Sequence, residues 1–469
     1  MPLLQRVRVP HAAADLSPDF LAARAGGLAG AEDSVAIHGG AVYVITDEHG
    51  GRRLHEERDG RLCLVPPAGR WISRLSTDEG LTAWEGSPLS DQTSARSLEG
   101  SRWRPSTVHS RPRSITVWNH ARTVSLHARR RSPGLSVCGV YDHEREAVAA
   151  QWVEPLMGRP IWADETFWLL YEAWPHQQLV ALHRETFDVV ERHELPVGRL
   201  ASLASAPGRI AAIWSDAWTP ASLILATSVS DLLAQIHRHE VTRESNADVP
   251  YTESITDVAG VPSMTYTPYR APTGTIVLLH GGPHLVSWPT FSPLVAFLCR
   301  QGWRVTRPNV CSSAIASRRA SAAKLGIDDA GEVARIAAAH DPSGPVVIVG
   351  WSYGAYLAAR SLSFGARPRG LVCLSGFLHP RVISGSTNAS INRFTGRVPL
   401  PPTCLPRDLP VLAIHGVHDD RVPYERQRDD VVALANGRCV PLPGEGHGIQ
   451  TDPGAATAYS ALASWLTGL

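Results

Sequence analysis

The sequence predicts a two-domain chain, with a short, irregular, propeller-like all-β domain over residues 1–250 and an α/β domain over 251–469. Three observations carry this. In the first half, short apolar runs are separated by Gly, Pro, Asp and Asn, and aromatic anchors recur at a loose spacing; from Thr275 onward, strand-like runs alternate with helical ones. With 469 residues the chain has room for two large domains.

The composition fits such a chain. Hydrophobic residues make up 43% and charged residues 19%, which allows a large core and excludes disordered or collagen-like classes. The 45 basic residues balance 44 acidic ones, so no global field favours a nucleic acid or an acidic membrane surface as partner. Lys324 is the only lysine, a bias expected of a GC-rich genome and given no function. Seven scattered cysteines without a C-x-x-C pair signal neither disulfides nor zinc, and no metal or organic cofactor is expected. The start of the chain lacks the apolar core of a signal peptide, and no apolar run reaches the ~18 residues of a membrane helix. A soluble cytoplasmic protein is expected, with its oligomeric state left open.

In the first half the runs Ala41–Thr46, Ser114–Trp118, Phe167–Tyr171 and Arg209–Trp214 read as strands between turns. Tyr43, Trp84, Trp118, Trp162 and Trp214 recur near the ~40 to 50 residues of a propeller blade, which allows some five blades. An irregular β-sandwich with buried tryptophans is the other reading of the same spacing.

In the second half strands are expected at Thr275–His280, Trp303–Thr306, Val346–Val349, Leu371–Leu374, Val411–Ile414 and Cys439–Leu442. Helices are expected at 291–301, 328–339, from Tyr353, at 424–435 and at 455–466. Strands joined by helical crossovers imply a mainly parallel sheet covered on both faces.

The chemistry is concentrated in this half. Gly350-Trp-Ser-Tyr-Gly354 follows an apolar strand and precedes a helix, which is the context of a nucleophile elbow, a sharp turn that holds the Ser352 hydroxyl proud of the sheet. An alcohol needs a base, and the base needs an orienting acid. In α/β-hydrolase folds these follow the serine in the order acid, then histidine. Asp419 and Asp420 lie in the loop after Val411–Ile414, and His447 lies in Gly444-Glu-Gly-His-Gly448 before the last helix. His280-Gly-Gly-Pro283 ends the first strand, where backbone N–H groups can face a substrate carbonyl together with the N–H of Tyr353.

His280-Gly-Gly-Pro, Arg307-Pro-Asn, Gly350-Trp-Ser-Tyr-Gly-Ala-Tyr356, His415-Gly-Val-His-Asp-Asp-Arg-Val-Pro and Gly444-Glu-Gly-His-Gly together resemble the prolyl oligopeptidase family of serine peptidases, most closely its acylaminoacyl-peptidase and dipeptidyl-peptidase-like branches. The resemblance is dense over 260–469 and looser before. It implies Ser352 as nucleophile, Asp419 as acid, His447 as base and Gly281 with Tyr353 as oxyanion donors, beneath a propeller that admits only short or unfolded peptides. The chain departs from the family in Cys311-Ser-Ser-Ala-Ile-Ala-Ser317, in Ala355 and in the shortness of its first domain.

The expected function is hydrolysis of amide bonds in short peptides or peptide-like small molecules. The alternative keeps the same triad in an acyltransferase, macrocyclase or tailoring amidase or esterase of small-molecule metabolism, and a pseudoenzyme scaffold is a third reading. Glu56-Glu57 could hold a substrate amine but reads better as a solvated charge run. Arg129-Arg130-Arg131, with Arg111, Arg113 and Arg122, could bind a carboxylate but reads better as a blade edge. Residues 377–403 are long enough to wall the acyl pocket.

Overall fold

Among the described residues, the turn-punctuated runs of the first half form five successive antiparallel sheets, spanning 27–64, 72–105, 114–154, 161–194 and 199–226. The computed structural model describes Gly27–Leu28, most of 35–241 and, apart from 284, 314–323 and a few single positions, all of 249–469. Tyr43, Trp84, Trp118, Trp162 and Trp214 each belong to a different sheet. Their spacing is uneven because Trp118 and Trp162 lie on the first strand of their sheets, whereas Trp84 and Trp214 lie on the second.

The first sheet packs on the fifth. Val35, Ile37, Val42 and Val44 meet Ala211, Ile213 and Leu223 in one buried cluster, and the Val35 N–H donates to Ser202 Oγ at 3.2 Å. Arg209 of the fifth sheet donates to the carbonyl of Gly40 and to the Glu57 carboxylate, both at 2.6 Å. Glu57 is only 4% exposed in its side chain, and Glu56 pairs with Arg58. The paired glutamates are thus engaged by arginines of their own domain. Arg129–Arg131 end the strand Val124–Arg131. Their side chains, and Arg111, Arg113 and Arg122 altogether, lie outside the described residues.

One helix follows the five sheets of this half. Helix α1 (Val229–Val241) covers the fifth sheet, placing Val229, Leu232, Leu233 and Ile236 against Trp214 and Ile224. That i, i+3, i+4, i+7 spacing is an amphipathic helix pattern.

The second half is one eight-stranded sheet: β1 (Tyr251–Val258), β2 (Val261–Pro268), β3 (Gly274–Leu279), β4 (Trp303–Pro308), β5 (Val346–Trp351), β6 (Gly370–Leu374), β7 (Val411–Gly416) and β8 (Gly437–Leu442). Its order is β1-β2-β4-β3-β5-β6-β7-β8, parallel from β4 onward, with β2 antiparallel to both neighbours. The β1–β2 hairpin, absent from the sequence-based strand list, turns on Ala259 and Gly260 at φ 54° and 82°, as a two-residue hairpin loop demands.

Helices α2 (Pro293–Arg300), α3 (Asp328–His340), α4 (Tyr353–Ser361), α5 (Ala389–Thr395), α6 (Tyr424–Val432) and α7 (Asp452–Thr467) complete the domain. Strand β5 shows why its sequence is apolar throughout. Val347 and Val349 face the core under α2 and α7, while Val346 and Ile348 face the core under α3 and α4. The two halves also touch: Trp174 Nε1 donates to the carbonyl of Ser287 at 2.9 Å, and Tyr251 Oη to that of Ala217 at 2.6 Å.

Replacing Arg209 by Ala takes a cationic partner from a buried carboxylate that joins the first and fifth sheets. Chemical denaturation is expected to show a loss of about 1–2 kcal/mol, with a smaller loss for Glu57→Gln.

Candidate active site

Strand β5 ends at Trp351 and α4 begins at Tyr353, so Ser352 alone turns the chain. Its backbone sits at φ 50°, ψ −116°, a conformation that costs a side-chain-bearing residue on the order of 1–3 kcal/mol. The flanking glycines are needed for space. A Cβ on Gly350 would lie 2.3 Å from backbone atoms of Gly354, and one on Gly354 would lie 2.5 Å from the carbonyl oxygen of His280. Ala355, where the resemblance leads one to expect glycine, fits because Gly376 faces it: a Cβ there would stand 2.6 Å from that of Ala355.

The remaining candidates arrive from the same ends of neighbouring strands, where sheets of this kind bind ligands. Gly281 follows β3, Asp419 follows β7 and His447 follows β8. The His447 loop is seated on β7 at Gly416, whose Cβ would collide at 2.1 Å with the carbonyl oxygen of Gly446. Buried Glu445 ties the loop to α7 by accepting from the backbone N–H and hydroxyl of Thr451, both at 2.7 Å.

These supports bring three side chains into line. His447 Nε2 is 3.1 Å from Ser352 Oγ, and His447 Nδ1 is 2.8 Å from Asp419 Oδ2. The carboxylate only accepts, so Nδ1 carries the proton and Nε2 is left to accept from the serine hydroxyl. Asp419 Oδ1 accepts the backbone N–H groups of Arg421 and Val422, at 2.9 and 2.8 Å. Burial alone would raise the Asp419 pKa. Hydrogen bonds from His415 and His447, with the electrostatic attraction of both rings, outweigh it and hold the carboxyl well below the usual carboxylate range.

His415 was not singled out in the sequence. It is the penultimate residue of β7, is fully buried, and its Nε2 lies 3.1 Å from Asp419 Oδ2 and 2.9 Å from the carbonyl of Val422. The available signal was its place four residues before Asp419 at a strand end. Asp420, the neighbouring carboxylate, turns the other way: its Oδ2 accepts from Asn388 Nδ2 at 3.4 Å and its carbonyl from Ser386 Oγ at 3.1 Å.

Gly281 lies against the serine, since a Cβ on it would be 3.3 Å from Ser352 Cβ. Tyr353, as the first residue of α4, has no helical carbonyl for its N–H. From the 377–403 segment, Phe394 meets the Tyr353 ring edge-on and Phe377 stacks on Tyr356. On the α2 and α7 side a cavity of about 400 Å³ opens, lined by Gly281, Trp351, Leu374, Ile414, Ile449 and Tyr459 among others. Among the described residues no three His, Cys, Asp or Glu side chains gather as a metal site requires, and no helix is long and apolar enough to cross a membrane.

Two outcomes follow. Gly350→Ala drives a methyl into backbone and is expected to cost at least about 3 kcal/mol, whereas Gly444→Ala, with nothing within 4 Å of the new Cβ, stays within about 0.5 kcal/mol in the same thermal melts. The folded-state pKa of Asp419 lies below its unfolded value of about 4. Its stabilisation is therefore complete above that pH and is lost as pH falls toward the folded value. Urea titrations between about pH 5 and pH 3 should show the wild type losing more stability over that interval than Asp419→Asn.

Comparison with known proteins agrees with this architecture. Residues 276–407 match the alpha/beta hydrolase family model. A search of curated protein sequences finds no significant match. Among solved structures, a puromycin hydrolase S511A mutant is similar at 13% identity with a TM-score of 0.67, over 97% of this chain and 96% of that one. A Mycobacterium tuberculosis puromycin-hydrolyzing peptidase is similar at 14% and 0.62, over 99% and 97%. Pyrococcus horikoshii acylaminoacyl peptidase is similar at 12% and 0.55, over 95% and 96%. The chain has the two-domain fold of the prolyl oligopeptidase family, an α/β-hydrolase domain preceded by a propeller-like domain of five sheets.

Proposed function

We propose that the chain is a serine hydrolase that cleaves amide bonds of short peptides or peptide-like small molecules through an acyl-enzyme on Ser352. The observation that carries this reading is the line from Ser352 Oγ through His447 to Asp419, at 3.1 and 2.8 Å, on a backbone that holds the hydroxyl out of the sheet. In the first half-reaction Ser352 Oγ attacks the carbonyl carbon while His447 Nε2 takes its proton. Asp419 remains ionised and stabilises the imidazolium. The backbone N–H groups of Gly281 and Tyr353 meet the oxyanion, His447 returns the proton to the leaving amine, and water repeats the sequence to release the acid.

The names of similarly folded proteins, puromycin hydrolase and acylaminoacyl peptidase, fit an acyl-transfer reaction. The propeller-like domain acts as the cap that selects substrates by size. The chain works as a soluble cytoplasmic enzyme without cofactor, and its catalytic domain starts near residue 251.

A fluorophosphonate is expected to label the wild type and not Ser352→Ala. His447→Ala and Asp419→Asn should each lower kcat/KM by roughly three orders of magnitude or more, and Asp420→Asn far less, because only Asp419 faces the imidazole. Mass spectrometry of products from blocked and free-amine peptides distinguishes a free acid from a cyclised or aminolysed product, which would assign the chain to acyl transfer. Digestion of a folded protein by the full chain would overturn the capping role.

A further inference from the structure

The two oxyanion donors come from loops that follow different strands, Gly281 after β3 and Tyr353 after β5. Their spacing must hold to a few tenths of an ångström for both N–H groups to meet one oxygen. Both loops are tied to a single buried carboxylate, that of Asp329 in the first turn of α3.

One arm is direct: Tyr353 Oη donates to Asp329 Oδ2 at 2.9 Å. The other runs through the stretch in which the sequence departs from its resemblance. The Ser312 N–H and Cys311 Sγ donate to Asp329 Oδ1 at 2.9 and 3.0 Å, and the Cys311 N–H to Glu332 Oε2 at 2.7 Å. Ser313 Oγ then lies 2.8 Å from His280 Nε2, and His280 Nδ1 lies 2.6 Å from the carbonyl of Gly281. A carbonyl can only accept, so Nδ1 carries the proton and Nε2 accepts from Ser313. Burial pushes the His280 pKa down, which keeps the ring in this neutral, one-donor form. The Asp329 charge is held by these donors and by the N-terminus of α3.

We propose that Asp329 is a positioning residue that sets the distance between the two oxyanion donors, through Tyr353 on one side and through 311–313 and His280 on the other. The proposal rests on the acyl-hydrolase reading above. It assigns to the Tyr353 hydroxyl and to Ser313 a role in transition-state binding although neither touches the substrate.

The test measures p-nitrophenyl acetate hydrolysis, inhibition by an arylboronic acid as a reversible tetrahedral mimic, and thermal melting, for the full-length wild type, Tyr353→Phe, Ser313→Ala, Asp329→Ala and Asp329→Asn. Each single-arm variant is expected to lower kcat and boronate affinity together by about 3- to 10-fold, with KM within about 2-fold, and Asp329→Ala by about 10- to 100-fold. Asp329→Asn should recover part of that loss, because an amide can accept from the Ser312 N–H and donate to the Tyr353 hydroxyl. Should Asp329→Ala not fold, the two single-arm variants decide. Kinetics and boronate affinity unchanged in both, or a loss confined to melting temperature or KM, overturns the proposal. A wild type that takes up no fluorophosphonate overturns the hydrolase reading and this proposal with it.

Discussion

One backbone conformation organises the second half of the molecule: a serine at φ 50°, ψ −116°, alone between a strand and a helix. Nothing local favours that state, so it persists only because its surroundings over-determine it. The Ser352 N–H donates to the carbonyl of Leu374, and the N–H of Ala355 to the carbonyl of Ser352, at 3.0 and 3.1 Å. Gly350 and Gly354 let α4 descend onto β5 and β3 at distances no side chain would permit. Every other feature of the site is placed relative to this turn. A Cβ on Gly281 would stand 3.3 Å from the serine Cβ, and His447 reaches the serine hydroxyl from a loop seated on a third glycine, Gly416.

The site is also built on buried charge held mainly by hydrogen bonds. Asp419 keeps its charge against burial through two backbone N–H groups and two histidine rings. Asp329 is surrounded by a tyrosine hydroxyl, a thiol and the backbone N–H of Ser312. Neutral donors orient a carboxylate without adding a second charge, at the cost of requiring each donor to be in place.

The first half follows a looser logic. The described contacts between the first and second, first and fifth, and fourth and fifth sheets are side-chain packing, and the described strands of one sheet do not pair with those of another. The meeting of the first and fifth sheets is fixed by four aliphatic residues of the former, an arginine–glutamate pair and a backbone bond to Ser202. The aromatic spacing drifts because the anchors lie on the first strand of some sheets and the second strand of others, while the described residues form the expected five sheets.

Much of the second half was legible in order along the chain. Apolar runs such as Val346–Val349 betray a strand buried on both faces, and the glycines around Ser352, Gly281 and His447 mark the turns where backbone approaches backbone. Helix α1 was written in Val229, Leu232, Leu233 and Ile236 but was masked by the β-rich context before it. The Ala259-Gly260 hairpin follows the expected domain boundary, in a stretch for which no strand was expected. What the sequence by itself determined is therefore the local material: strands, turns, the sharp elbow and a set of residues whose chemistry suits acyl transfer. The resemblance pointed to Asp419 as the acid; only the tertiary structure decided that Asp420 turns away from His447, that His415 shares Asp419, and that Asp329 is bonded both to Tyr353 and to the 311–312 stretch. Asp419 and Asp420 are adjacent and chemically alike, and Asp329 is one acid among 44 acidic residues. Which of them is buried, and which donors surround it, depends on strands and helices that pack across long sequence separations, and no local pattern encodes that.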